Sequence, residues 1–100
     1  MRKKDVVGLL RKNREKIKEF GVKRIGIFGS VARNEATEYS DIDIVVEFEN
    51  GRGGMRDFVN LSEFLENLFN RKVDILTPGG IEGIRIKYIK ERIKKEVEYV

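Results

Sequence analysis

The run Ser40-Asp41-Ile42-Asp43-Ile44-Val45-Val46 constrains this chain more than any other stretch. Alternate residues of a strand share a face, so Asp41 and Asp43 project together from a segment otherwise built of Ile and Val. Aspartate is disfavoured inside strands, and an ionised carboxylate buried without a partner is costly. Two side by side demand something positive, and a divalent metal ion is the best candidate. The competing reading is a pair of exposed strand residues meeting surface Lys or Arg. What precedes the pair favours the metal. An apolar strand over residues 22–28 runs into Gly29-Ser30, a turn opening a short helix over residues 30–34. A polar loop then leads back to a strand over residues 41–48. On that strand Ile42, Ile44, Val46 and Phe48 face a core, while Asp41, Asp43, Val45 and Glu47 face a cleft.

Composition narrows the chemistry further. The chain has neither histidine nor cysteine, which removes imidazole and thiolate zinc sites and the Ser-His-Asp triad. Any metal must be held by oxygen, which favours magnesium, manganese or calcium. One hundred residues suit a single domain over residues 1–100 with one core. No apolar run approaches the roughly 20 residues that span a bilayer, and Met1 to Leu10 lacks the apolar segment and cleavage site of a signal peptide. A cytoplasmic protein is the default reading. The net charge of +4 suits a polyanionic partner such as a nucleotide, although solvated helix faces account for it as readily.

Around that centre the pattern is mixed helix and strand. Residues 5–20 carry Val6, Leu10, Ile17 and Phe20 near helical spacing, with Asp5 as N-cap and Gly21 as a left-handed stop. Residues 49–56, rich in glycine and charge, read as a mobile loop and lack the Walker pattern. A second amphipathic helix spans residues 57–69 through Phe58, Leu61, Leu65 and Leu68, capped by Asp57 and ended by Asn70. A third strand over residues 71–77 places Asp74 between Val73 and Ile75. Thr77-Pro78-Gly79-Gly80 breaks the chain before a helix over about residues 86–94 and an edge strand over residues 96–100.

This order of elements allows phosphate chemistry. A phosphate can approach the Gly29-Ser30 backbone closely, helix N-termini favour anions, and the Ser30 hydroxyl adds a donor. Asp41 and Asp43 are candidate ligands of two divalent ions, with Asp74 as third ligand if its strand lies alongside. Two ions about 4 Å apart bridge attacking and leaving oxygens in an in-line displacement, and Asp74 is the natural general base. The reaction so implied moves a nucleotidyl group from a nucleoside triphosphate to a hydroxyl and releases pyrophosphate.

Gly29-Ser30-Val31-Ala32-Arg33-Asn34-Glu35 followed by Ser40-Asp41-Ile42-Asp43-Ile44-Val45-Val46 resembles the signature of the minimal nucleotidyltransferases of the polymerase beta-like superfamily. Phe20 to Phe28, Val73-Asp74-Ile75 and the ending Lys95-Glu96-Val97 extend the likeness over nearly the whole chain. The resemblance implies an α/β (α+β) fold, a small mixed sheet flanked by helices. It implies two magnesium ions on Asp41, Asp43 and Asp74, and ATP held at Gly29 and Ser30 with Arg33 and Glu35 nearby. Asn34 stands where the family often has glycine, and asparagine tolerates the left-handed turn. The family implies a partner too: such chains act as antitoxins that adenylylate a tyrosine of a HEPN-domain RNase toxin. The alternatives are a non-catalytic nucleotide-binding antitoxin that neutralises its partner by complex formation, and a basic nucleic-acid binder. Intact aspartates speak against the first, and nucleic acid is the less favoured substrate.

Overall fold

The computed structural model describes all residues, Met1–Val100. Ten elements follow one another: α1 (Lys3–Lys12), α2 (Arg14–Lys18), β1 (Val22–Ile27), α3 (Gly29–Ala32), β2 (Ile42–Phe48), α4 (Met55–Phe69), β3 (Val73–Leu76), α5 (Pro78–Glu82), α6 (Lys87–Glu96) and β4 (Glu98–Tyr99). The strands form one mixed sheet in the order β3-β2-β1-β4. β1 runs antiparallel to β2 and β4, whereas β2 and β3 are parallel. A parallel pair needs a crossover, and α4 supplies it. The expected mixed sheet flanked by helices is what the chain forms.

Helices cover both faces of the sheet. On one face, Ile42, Ile44 and Val46 of β2 pack with Val6, Leu10 and Ile17 of the N-terminal helices and Leu61, Leu65 and Phe69 of α4. Most of these are completely closed to solvent, and each large side chain so buried contributes about 1.5–3 kcal/mol. On the other face, Val45 forms a smaller cluster with Phe28 and Ile81, flanked by Ile93 and Val97. The alternation read along β2 therefore holds, with Val45 roofed by α5 and α6 and its aspartate neighbours at the margin. No helix is long and apolar enough to cross a membrane.

Five local expectations are corrected. Residues 5–20 form two helices, because Asn13 breaks the run: its side-chain Nδ2 donates to the Leu9 carbonyl at 2.8 Å. Asp5 is not the N-cap; Arg2 is, and Asp5 sits in the first turn accepting the Arg2 N–H at 3.0 Å. Likewise α4 starts after Gly54, two residues earlier than expected, with Asp57 in its first turn. The glycine-rich loop is pinned rather than loose, since Arg52 grips Asp57 through Nε and Nη2, both at 2.8 Å, and donates to the Glu19 carbonyl. Finally, the break at Thr77 opens a further helix, α5, with Pro78 in its first turn and the Thr77 hydroxyl accepting from Gly80 N–H at 3.0 Å. Asn70 takes the left-handed conformation that caps α4 as expected, whereas α2 is capped by Glu19 in the right-handed region and Gly21, at φ 83, lies in the turn beyond it.

Candidate active site

The loop before the acidic pair is fixed before the strand begins. Thr37 N–H donates to the Ser40 hydroxyl at 3.0 Å, and Arg71 Nη1 donates to the Thr37 carbonyl at 2.6 Å and the Ser40 carbonyl at 3.3 Å. Ile42 N–H then bonds the Lys72 carbonyl at 3.0 Å, which locks the parallel register of β2 and β3. In that register Asp43 stands directly beside Asp74. Asp41 lies one residue before β2 and shares its flank with Asp43, so three carboxylates occupy one corner of the sheet, Asp41 and Asp43 half-buried and Asp74 exposed.

The turn after β1 closes on the same corner. Phe28 N–H bonds the Asp43 carbonyl at 3.1 Å, bringing Gly29 over the Asp43 side chain. Gly29 has φ 68, and a Cβ at this position would overlap the Asp43 carboxylate. Only glycine fits both the left-handed backbone and the approach. Gly29 opens α3 with Ser30 next to it, and Asn34 ends the segment at φ 58, its Oδ1 accepting from Lys3 N–H at 3.2 Å. The left-handed turn expected at Asn34 is therefore present.

The electrostatics single out Asp43. Burial first, then the charges of Asp74 and Asp41, push its carboxyl up to about 6; Arg33 opposes the shift and Glu96 adds to it. No hydrogen bond or ion pair engages the side chains of Asp41, Asp43, Asp74 or Ser30. Half-buried carboxylates left without a partner are unusual, and they gather where chemistry needs them. An all-oxygen, all-carboxylate donor set under mutual repulsion fits a hard divalent cation such as magnesium. No three acidic side chains converge as ligands of a single ion. Magnesium does not require that, because it commonly takes one or two carboxylates and completes its octahedron with water and substrate phosphate.

Glu96, at the end of α6, enters the sequence reading only as part of the family-like ending Lys95-Glu96-Val97, with no role at the site. Its Oε2 accepts the Gly29 N–H at 3.2 Å, while Oε1 accepts from Arg33 Nη1 at 2.6 Å and Arg92 Nε at 3.1 Å. Burial alone would raise the Glu96 carboxyl, but the bonds from Arg33 and Arg92 hold it below the usual carboxylate range. Arg33 also donates from Nε to Glu35 at 3.0 Å. The structure thus brings together every residue singled out in the sequence, Gly29, Ser30, Arg33, Asp41, Asp43 and Asp74. Gly29 and Arg33 are tied to a residue from the far end of the chain.

A family model described as a nucleotidyltransferase domain matches residues 9–100. A Methanocaldococcus jannaschii protein named as a candidate protein adenylyltransferase, MJ1379, is 40% identical over 98 residues, covering 96% of this chain and 95% of that one. Protein adenylyltransferase MntA of Thermococcus cleftensis is 35% identical over 97 residues, covering 96% and 93%. A solved structure described as a candidate minimal nucleotidyltransferase superposes with a TM-score of 0.69 at 34% identity, over 98% of this chain and 95% of that one. A toxin–antitoxin crystal structure with AMP-PNP shares the fold, with a TM-score of 0.60 at 18% identity over 99% and 72% of the two chains.

Proposed function

The chain belongs to the nucleotidyltransferase domain family, and from that premise we propose that it is a magnesium-dependent protein adenylyltransferase, moving AMP from ATP to a tyrosine hydroxyl of a partner protein. The observation that carries this reading is Asp43, beside Asp74 in register, two residues from Asp41, pressed by Gly29 and without a partner of its own. Relatives named protein adenylyltransferase support a protein as acceptor. The toxin–antitoxin setting and AMP-PNP of a fold neighbour agree with a toxin as that protein and ATP as donor. The motif resemblance supplies the finer identity, a HEPN-type RNase toxin, with this chain as its cytoplasmic antitoxin.

The roles follow from placement. The strand-to-helix turn receives the donor: Gly29 lets the turn close over Asp43, the Ser30 hydroxyl donates to a phosphate oxygen, and Arg33 adds positive charge from the side. Asp41, Asp43 and Asp74 are the residues that would hold two magnesium ions. Those ions, when bound, neutralise the polyphosphate and lower the charge barrier to attack at the α-phosphorus. Asp74, exposed at the rim, is the carboxylate an incoming acceptor meets first, and it takes the hydroxyl proton as the oxygen attacks. A bond forms from the acceptor oxygen to the α-phosphorus, and the bond to the β-phosphate breaks, releasing pyrophosphate.

Label transfer from α-labelled ATP with magnesium, into lysate of the source organism, tests the reading. A labelled protein band with the wild-type chain, absent with the Asp41→Asn, Asp43→Asn double variant, is the expected result, and mass spectrometry of the band names the acceptor residue. A partner recovered bound but unmodified by the wild-type chain would instead establish the non-catalytic reading.

A further inference from the structure

Glu96 has the most constrained carboxylate near the site, and the roles above do not use it. Both of its oxygens are engaged, and only 14% of its side chain is exposed. It is held from both directions along the chain. α6 precedes it, and two residues later β4 begins, pairing Glu98 and Tyr99 with Ile27 and Gly26 of β1. α6 itself buries no residue completely, so polar ties such as this one add to the packing of Ile93 and Val97 in seating its end. The backbone on both sides of Glu96 is therefore held, by α6 before it and by the β4 pairing after it. A residue anchored in this way is placed to orient others rather than to yield its seat.

The group it orients is Arg33. Nη1 of Arg33 is held by Glu96 and Nε by Glu35, while Nη2 enters no hydrogen bond. A guanidinium is a rigid planar fork, so fixing two nitrogens fixes the direction of the third. The same Glu96 carboxylate takes the Gly29 N–H, which ties the fork to the turn beside Asp43. We propose that Glu96 is a positioning residue for donor binding: it aims the free Nη2 of Arg33 at the phosphate that enters over Gly29 and Ser30. Resting on the reading of this corner as the donor site, the inference assigns different work to neighbouring groups. Gly29 N–H and two nitrogens of Arg33 build the cradle, and Ser30, Nη2 and the aspartates meet the ligand.

The experiment is equilibrium titration of magnesium-ATP by calorimetry on the wild-type chain, Glu96→Gln, Arg33→Ala and the double variant, with thermal melts run in parallel. Glutamine keeps an acceptor for Gly29 N–H but presents a neutral group to Arg33. The expected result is ATP binding weakened about tenfold in Glu96→Gln, the lower end of what losing an orienting group costs. Arg33→Ala should be weakened at least as much, with no further loss in the double variant. That non-additivity separates aiming Arg33 from supporting the fold, because a fold effect would persist without Arg33. Tighter ATP binding by Glu96→Gln would overturn the inference, showing the carboxylate to be a competitor for the phosphate seat. So would an equal loss in the Arg33→Ala background, or undiminished binding. If the wild-type chain binds no ATP, the donor-site reading itself falls and takes this inference with it.

Discussion

Asp43 and Asp57 are the same residue type, each beside a glycine turn, with opposite electrostatics. Asp57 accepts two bonds from Arg52 and one from Gly53 N–H, and its carboxyl is drawn down to about 2, first by Arg52 and then by that N–H. Asp43 has no donor and no ion pair, and burial with two acidic neighbours drives it up to about 6. One aspartate closes a loop and has been given everything that stabilises its charge. The other sits where two more negative charges have been brought alongside it, a cost that accords with the proposed cation site. The difference is that a structural carboxylate is paired by the chain, whereas a functional one is left for its ligand.

The sharpest test of that contrast is to neutralise Asp43. Asp43→Asn should lower adenylyl transfer by on the order of 10³-fold, as loss of a group acting directly at a reacting centre does. Asp57→Asn should leave the rate within about twofold, as surface changes away from such features usually do. Initial rates with saturating ATP and partner decide it. A large rate loss in Asp57→Asn, or none in Asp43→Asn, would erase the distinction.

The glycines give a second test. Gly29 and Gly51 share positive φ, 68 and 80, but a Cβ at 51 meets open space whereas one at 29 meets the Asp43 carboxylate. Both alanine variants should lose stability by about 1–2 kcal/mol, the cost of a left-handed backbone for a residue with a Cβ. Gly29→Ala alone should also lose activity, by about 10²-fold, if Asp43 has its proposed role, because displacing it by about an ångström would misplace a group at the reacting centre. Equal activity in the two variants would mean that the turn does not position Asp43.

Much of this was legible beforehand because the signals are local. Asp41 and Asp43 share a flank through strand periodicity alone, Gly29 follows an apolar strand, and the apolar faces of β2 and α4 fixed the core. Asp74 needed one further step, that its strand lie parallel beside β2, which the crossover through α4 made natural. Glu96 was not legible in this way. It meets Arg33 and Gly29 across 63 and 67 positions, and a Lys-Lys-Glu helix end looks the same whether it faces open solvent or the guanidinium of Arg33. The Arg52–Asp57 clamp was hidden for a related reason: glycine content speaks of backbone freedom, and only the fold shows which side chain removes it. α5 was the avoidable miss, since Thr followed by Pro is a capping residue followed by a favoured first helical position.

Stability against pH separates the two aspartates by sign. Asp43 has its carboxyl raised in the folded chain, so the native state binds the proton more tightly than the unfolded state between about pH 4 and 6. Stability therefore falls as pH rises through that window. In chelator at pH 7, Asp43→Asn should be more stable than wild type by on the order of 1 kcal/mol, after discounting a half-exposed group for solvent screening. Most of the gain should vanish at pH 4. Added magnesium should stabilise the wild type and not the variant, since a ligand of the folded state raises its stability by mass action. A variant less stable than wild type in chelator at pH 7 would refute the picture of an unpaired, repelled charge.

Asp57 should show the smaller and opposite effect. Its carboxyl is lowered on folding, so its stabilising contribution is complete above the unfolded value of about 4. That contribution is lost as pH falls towards about 2. Asp57→Asn should therefore melt below wild type by the same interval at pH 7 and pH 5, and the interval should shrink between pH 4 and pH 2. Paired melts of the two proteins by circular dichroism across that range check it. Because Arg52 also bonds the Glu19 carbonyl, Arg52→Ala should cost more than Asp57→Asn at pH 7 and keep part of its cost at pH 2. An Asp57→Asn interval that persists unchanged at pH 2 would mean that the loop is held by hydrogen bonds an amide can replace no better in acid than at neutrality. Charge would then not be what distinguishes Asp57 from Asp43.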